Sequence, residues 1–218
     1  MEPSAKTPSW SKAAVLLLIG AVGGTIIHGV IQNGDSAASS QPASAGDKPV
    51  KTETATFAAG CFWGVQSSFD TVPGVVQTTV GYSGGHAANP TYEMVCSHTT
   101  GHAESVEVAF DPARISYEKL VEFFFTMHDP TTVNRQGPDV GTQYRSAIFF
   151  HSPEQQRIAQ AVKDRLDKSG QFKRPIATEI TAASTFYKAE EYHQKYFKKT
   201  GNANCHFVAY PTTPTSQP

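Results

Sequence analysis

Cys61 stands between Gly60 and the adjacent aromatics Phe62 and Trp63, in the run AGCFWGVQ, where a strand-like pattern gives way to a helical one. A helix start offers unpaired N–H groups and a partial positive charge. Both favour the thiolate, the nucleophilic form of cysteine. Gly60 lets the backbone approach closely, and Phe62 and Trp63 supply an apolar wall beside the sulfur. The stretch reads as a nucleophile with a hydrophobic pocket. The same residues also fit a small buried cysteine among core aromatics.

Glu104 opens the alternating run ESVEVAF, Glu104 to Phe110. A carboxyl partly buried at a sheet end has a raised pKa and serves as a general acid near neutral pH. A solvated carboxylate at a strand start is the plainer alternative. The segment from His128 to Ser146, HDPTTVNRQGPDVGTQYRS, is dense in polar groups, Gly and Pro, and can present hydrogen-bond donors to a ligand oxygen. Tyr92 and Tyr144 are phenols suited to an oxyanion or an S=O group. Cys96, His98 and His102 lie close together, and His102-Ala103-Glu104 matches the H-x-E of zinc deaminases. The P-C-x-x-C that must accompany it is absent, so no metal site is expected. Cys61, Cys96 and Cys205 form no C-x-x-C pair for zinc or thioredoxin-like chemistry.

The elements that must position these groups occupy one domain of ordinary size, residues 52–210, within a chain of 218. A net charge of -1 gives no footprint for nucleic acid or anionic lipid. Strands are predicted over 52–59, 76–81, 104–110, 144–151 and 176–181. Helices are predicted over 61–70, from Ser116 with Leu120, Val121, Phe124 and Phe125 on its apolar face, from Ser152 to about Lys168, and over 190–198. Residues 131–142 should form a long ordered loop, of the kind that is often functional. Hairpin-like and crossover spacings are mixed, which argues for an α+β sandwich with a mixed or antiparallel sheet.

Ahead of this domain, residues 13–31 carry no acid, Lys or Arg. That is about the 20 apolar residues that a membrane-crossing helix needs. Lys6 and Lys12 in the tail 1–12 orient the N-terminus to the cytoplasm. The reading is a signal anchor with an extracytoplasmic, periplasmic domain. The alternative is a cleaved signal peptide and a secreted protein. Residues 32–51, rich in Ser, Ala, Gly and Pro, read as a flexible polar linker, and 211–218 as a frayed tail.

Five segments in this order, GCFWG, GYSGG, NPTYEMVCSHTTGHAE, HDPTTVNRQGPDVGTQYRS and AEEYHQKYF, resemble the type A peptide methionine sulfoxide reductases. The resemblance covers essentially the whole core and none of the first fifty residues. It implies a two-layer, ferredoxin-like plait, here preceded by one apolar helix. It also implies a reaction. The Cys61 thiolate attacks the sulfur of the S epimer of methionine sulfoxide, free or in an oxidised protein. Glu104 protonates the oxygen, which Tyr92 and Tyr144 hold. Phe62 and Trp63 hold the methyl group, and Asp139 helps fix the substrate or the site. Cys61 becomes a sulfenic acid, and Cys205 condenses with it to a disulfide. With no further cysteine beyond Cys205, a thioredoxin-like protein, or dithiothreitol in vitro, should reduce that disulfide directly. No bound cofactor and a monomeric catalytic domain are implied. Asn204 and His206 flank Cys205 where the family has glycines, and His98 replaces a residue that is usually Gly. Cys96 matches a position the family does not require and is expected to be buried. A module that binds oxidised peptides without turnover, and a thiol peroxidase, are the competing functions.

Overall fold

The computed structural model of the protein describes residues 51–201. Contacts divide the chain between Gly46 and Asp47, and every described residue belongs to the second unit. The N-terminal tail, the apolar run at 13–31, nearly all of the linker, Cys205 and the tail at 211–218 lie outside the described residues. Among the described residues no helix is long and apolar enough to cross a membrane.

Strand β1 (Glu53–Ala59) is the centre of the sheet. Its Ala55, Phe57 and Ala59 point into the main core, while Ala58 joins a smaller cluster with Ala103, Ala147 and Phe149. A strand with both faces buried reads as near-continuous apolar residues, which explains the run ATFAA. Helix α1 (Phe62–Phe69) follows, then β2 (Val75–Ser83), a short α2 (Tyr92–Cys96), β3 (Ala103–Phe110) and α3 (Tyr117–Phe124). A small hairpin comes next, β4 (Arg135–Gln136) with β5 (Asp139–Val140). A 3-10 turn at Thr142–Tyr144 leads into β6 (Ser146–Phe150). The chain continues through α4 (Pro153–Lys168), β7 (Glu179–Ala182), β8 (Tyr187–Lys188) and α5 (Tyr196–Thr200).

The six-stranded sheet has the order β7-β6-β1-β3-β2-β8. Neighbours from β6 to β8 are antiparallel, and β6 pairs with β7 in parallel. The sheet is therefore mixed and the class α+β, as the spacing predicts. The connections through α1 and α3 each step over a neighbouring strand, so β1 and β3 lie side by side at the centre. That places the end of β1, which leads into Cys61, next to the beginning of β3, which carries Glu104.

Aromatic packing holds the helices on the sheet. Phe57 stacks on Phe69 of α1 at 5.0 Å and on Phe124 of α3 at 5.2 Å. Each such buried phenylalanine contributes roughly 1.5–3 kcal/mol relative to exposure. Side-chain caps start the helices where the sequence predicts. Ser116 Oγ accepts the Lys119 N–H at 3.3 Å, and Ser152 Oγ accepts the Gln155 N–H at 3.2 Å ahead of Pro153.

Four expectations are corrected. The strand predicted from Tyr144 begins at Ser146, because Tyr144 closes the 3-10 turn. The strand predicted over 176–181 is β7, shifted to Glu179–Ala182, while the Ala177 N–H is spent on the Pro130 carbonyl. The long loop contains the β4–β5 hairpin. The helix predicted over 190–198 is a series of turns, and only Tyr196–Thr200 is helical. Lys195 adopts a left-handed φ of 53°, which no α-helix accommodates. Gln194 meanwhile uses its side chain as a strand would use its backbone. Its Oε1 accepts the Val80 N–H at 3.0 Å, and its Nε2 donates to the carbonyls of Val80 and Ala189.

Candidate active site

Cys61 is the residue before the first turn of α1, reached through Gly60 at φ +87°. A Cβ on Gly60 would stand 2.7 Å from the Gln136 Cβ, so both its conformation and its surroundings require glycine. Gln136 is itself anchored, its Oε1 accepting the Asp129 N–H at 3.1 Å. The β4 strand is thus packed directly against the cysteine's turn.

The helix start is met by Glu104. The Phe62 N–H donates to Glu104 Oε2 at 3.0 Å. Glu104 is 2% exposed. Burial pushes its carboxyl well above the ordinary carboxylate range, and negative charge on Cys61 and on Asp139 pushes it further; the Phe62 N–H opposes the shift. Two negative charges this close oppose each other, so an anion on Cys61 favours the proton on Glu104.

Two phenols complete this polar cluster. Tyr92 enters on α2, whose first turn is capped by Thr91. Its backbone N–H donates to Glu190 Oε1 at 2.9 Å. Tyr144 arrives on the 3-10 turn beyond the hairpin that carries Asp139. Burial raises both phenols above their ordinary pKa, and the Glu104 charge adds to each. They remain protonated donors at any neutral pH. Asp139 and Cys61 also act on Tyr144, and Tyr144 and Glu104 on Tyr92, so Glu104 and Tyr144 link the five polar residues.

Cys96 is half-buried rather than buried, which corrects the expectation. As the last residue of α2 it hydrogen-bonds the Tyr92 side chain one turn back. Burial raises its thiol, partly offset by that bond. His102, the candidate zinc ligand, is fixed by the backbone instead. The Gly85 N–H donates to its Nδ1 at 3.1 Å, and its Nε2 is 2.8 Å from the Ala87 carbonyl.

The apolar side of the site is aromatic. Phe62 is buried and Trp63 half-buried. Trp63 stacks on Tyr196 with ring centroids 3.8 Å apart, and its indole N–H donates to His193 Nδ1 at 3.0 Å. The His193 ring centroid lies 5.0 Å from that of Phe62 and 4.5 Å from that of Tyr92. Glu190 ties this wall to the phenols by accepting the Tyr82 hydroxyl at 2.8 Å as well as the Tyr92 N–H. Burial alone would raise Glu190, but those donors hold its carboxyl below the usual range.

The fold thus gathers Cys61, Glu104, Tyr92, Tyr144 and Asp139 into one cluster, with Phe62 and Trp63 alongside; Cys205 lies outside the described residues. Sequence reasoning missed Gln136, Glu190, His193, Tyr196 and the pair His98–Gln143. The dense run AEEYHQKYF was the available signal for three of them. His98, at a left-handed φ of 62°, makes a 2.7 Å hydrogen bond from Nδ1 to Gln143 Oε1. Its ring also fills the space where a Gly141 side chain would stand. One imidazole thereby joins the segments that carry Tyr92, Asp139 and Tyr144.

Comparison with known proteins agrees with this geometry. The family model described as peptide methionine sulfoxide reductase matches residues 53–217. A peptide methionine sulfoxide reductase MsrA of Methanoculleus marisnigri is 58% identical over 156 residues, covering 72% of this chain and 95% of the relative. One from Geobacter metallireducens is 55% identical over 161 residues, covering 74% and 99%. Among solved structures, reduced Mxr1 from Saccharomyces cerevisiae aligns with a TM-score of 0.67 and 37% identity over 75% of this chain and 92% of that one. Methionine sulfoxide reductase A of Corynebacterium diphtheriae aligns with a TM-score of 0.64 and 38% identity over 73% and 79%. The chain belongs to the peptide methionine sulfoxide reductase family, in its A type, and so to the oxidoreductases that act as peptide-methionine (S)-S-oxide reductases.

Proposed function

We propose that Cys61 reduces the S epimer of methionine sulfoxide, free or within an oxidised protein, with Glu104 as its proton donor. One observation carries this reading: a fully buried carboxyl, raised well above its usual pKa, sits at the helix start that presents the cysteine. A sulfoxide sulfur is a poor electrophile until its oxygen is protonated. The Cys61 thiolate attacks that sulfur while the Glu104 proton passes to the oxygen, which Tyr92 and Tyr144 hold by hydrogen bonds. Asp139 helps orient the site. Phe62 and Trp63 take the S-methyl group. Attack joins the Cys61 sulfur to the substrate sulfur. The protonated oxygen then passes to the Cys61 sulfur as the S–O and S–S bonds break, methionine leaves with the S–S electron pair, and Cys61 is left as a sulfenic acid.

The Cys205 thiol then attacks this sulfenic acid, releasing water and forming a Cys61–Cys205 disulfide. A thioredoxin-like dithiol reduces the disulfide and is itself oxidised. No bound cofactor is needed, since the two cysteines and the external dithiol carry all the electrons. We read the catalytic domain as a monomer and its central strands, β6-β1-β3-β2, as a two-layer ferredoxin-like plait. Residues 13–31 supply a single-pass anchor, so the enzyme repairs exported proteins and takes electrons from an extracytoplasmic thioredoxin-like partner.

The test supplies dithiothreitol and each separated epimer of an N-acetylated methionine sulfoxide. Consumption of the S epimer alone, abolished by Cys61→Ser, is the expected outcome. Consumption of neither epimer, or full activity in Cys61→Ser, sinks the proposal.

A further inference from the structure

Outside the residues assigned a chemical step, one buried titratable side chain touches both aromatics of the apolar wall and the Tyr92 phenol. His193 is 1% exposed and lies in the turn that replaces the expected helix. Its ring contacts those of Phe62, Trp63, Tyr92 and Tyr192, with centroid separations between 4.1 and 5.6 Å.

The hydrogen bond from Trp63 decides the state of this ring. An indole N–H only donates, so His193 Nδ1 must present a lone pair, and the single ring proton resides on Nε2. That Nε2 is buried and has no hydrogen-bond partner. Glu190 Oε2 is 3.9 Å away, beyond hydrogen-bond reach, and already accepts the Tyr82 hydroxyl at 2.8 Å. A buried donor left short of its partner has a cost, and the arrangement keeps it in exchange for a lone pair aimed at the indole. Trp63 is thus clamped on its face by Tyr196 and at its edge by His193.

We propose that His193 is a positioning residue, whose Nδ1 lone pair holds the Trp63 indole in the orientation that closes the apolar side of the site, and whose protonation releases it. This rests on reading Trp63 as part of the methyl slot. Protonation at Nδ1 sets an N–H against an N–H, and the contact must open. The charged groups facing the ring are Glu190 and Glu93, which favour the imidazolium; Tyr92 and Tyr192 flank it as neutral phenols. Burial outweighs both carboxylates and lowers the ring below an ordinary histidine, so the indole is held at neutral pH and released only in acid.

The chain has two tryptophans, so Trp10→Phe in the full-length protein leaves Trp63 as the sole indole emitter. Its fluorescence is recorded against pH over the range in which the far-UV CD spectrum is unchanged. The expected result is quenching on acidification with a midpoint below about 6.5, the ordinary histidine value. The quenching should vanish in His193→Gln, whose carbonyl still accepts from the indole but does not titrate. In activity assays His193→Gln should keep kcat/KM within about threefold of the parent. His193→Phe should lose about tenfold, mainly through KM, the scale of a methyl-sized misfit in an apolar pocket. A flat profile in the parent, or the same quenching in His193→Gln, overturns the proposal. The fluorescence arm reads the Trp63–His193 contact whether or not the site reduces sulfoxides. Failure of the proposed reaction is therefore distinguishable from failure of this inference.

Discussion

Glu104 caps a helix start, a place where a carboxylate is ordinarily ionised and stabilising. Here burial opposes that preference and raises the carboxyl well above its ordinary range. The consequence for stability has a definite sign. Its folded pKa lies above the unfolded value of 4.5, so its contribution is fully present below that value and is lost as pH rises through the folded one. Glu104→Gln, which still accepts the Phe62 N–H, should therefore be more stable than the parent at pH 8, by about 1 kcal/mol or a few degrees in Tm. On the proposed mechanism the same change removes the proton donor and should slow sulfoxide reduction by about 10²–10⁴-fold. Calorimetry and single-turnover kinetics on one variant check both; a destabilised Glu104→Gln would show that the acid is not held under strain. In the parent, the reduction step should fall as pH rises through the raised Glu104 value.

The site's elements are held by side chains that replace backbone pairing. His128 is the clearest case. Its Nδ1 is 2.9 Å from the Phe124 carbonyl at the end of α3, and its Nε2 is 2.7 Å from Ser146 Oγ, which in turn meets Thr178 Oγ1. Complete burial lowers the ring from 6.5 to about 4. The unfolded chain binds the proton first, so stability present above pH 6.5 is lost as pH falls towards 4, by roughly 3 kcal/mol. His128→Gln should flatten that window in thermal melts recorded against pH, whereas an unchanged acid loss would assign it to other groups. Gln194 plays the corresponding part at the other edge, pairing with Val80 of β2 through two side-chain hydrogen bonds and with the Ala189 carbonyl through a third. Gln194→Ala leaves the buried Val80 N–H unpaired, while the Val80 carbonyl keeps the Ala189 N–H, and should cost about 1–3 kcal/mol. It should also raise hydrogen exchange in residues 189–197, the segment that carries His193 and Tyr196. Protection there equal to the parent would count against this role.

At the scale of the whole chain, the proposed cycle divides in two: the described residues hold the groups assigned to forming the sulfenic acid, and Cys205 is assigned to resolving it. Cys205→Ser should retain one methionine released per enzyme without reductant and should keep dithiothreitol-driven turnover. Turnover with a thioredoxin-like reductant should fall by about tenfold or more, because the disulfide such a dithiol is proposed to attack never forms. Undiminished thioredoxin-linked rates in Cys205→Ser would remove Cys205 from the cycle. The proposed anchor has its own check at this scale. The full chain should sediment with membranes after a carbonate wash, and recovery in the soluble fraction would refute the anchor.

Local chemistry was legible in the residues themselves. A glycine–cysteine–aromatic run at a strand-to-helix junction, the caps at Ser116 and Ser152, and the alternation of ESVEVAF depend on neighbours within one turn or one strand, so the amino-acid sequence by itself determined them. The α+β class followed from the same periodicities. Tertiary structure alone decided what lies across space. Glu104 reads equally well as a solvated strand start until β3 is laid against β1 and its carboxyl is driven into the core. The 190–198 segment carries a helical composition, yet long-range bonds from Gln194 to Val80 and from Lys195 to Gln66 outweigh that local preference. His193 gives no sign of its tautomer until the fold sets an indole N–H, from a helix 130 positions earlier, against its Nδ1. Periodicity reports which face of an element is apolar; which donor meets which acceptor is fixed only when the elements are packed together.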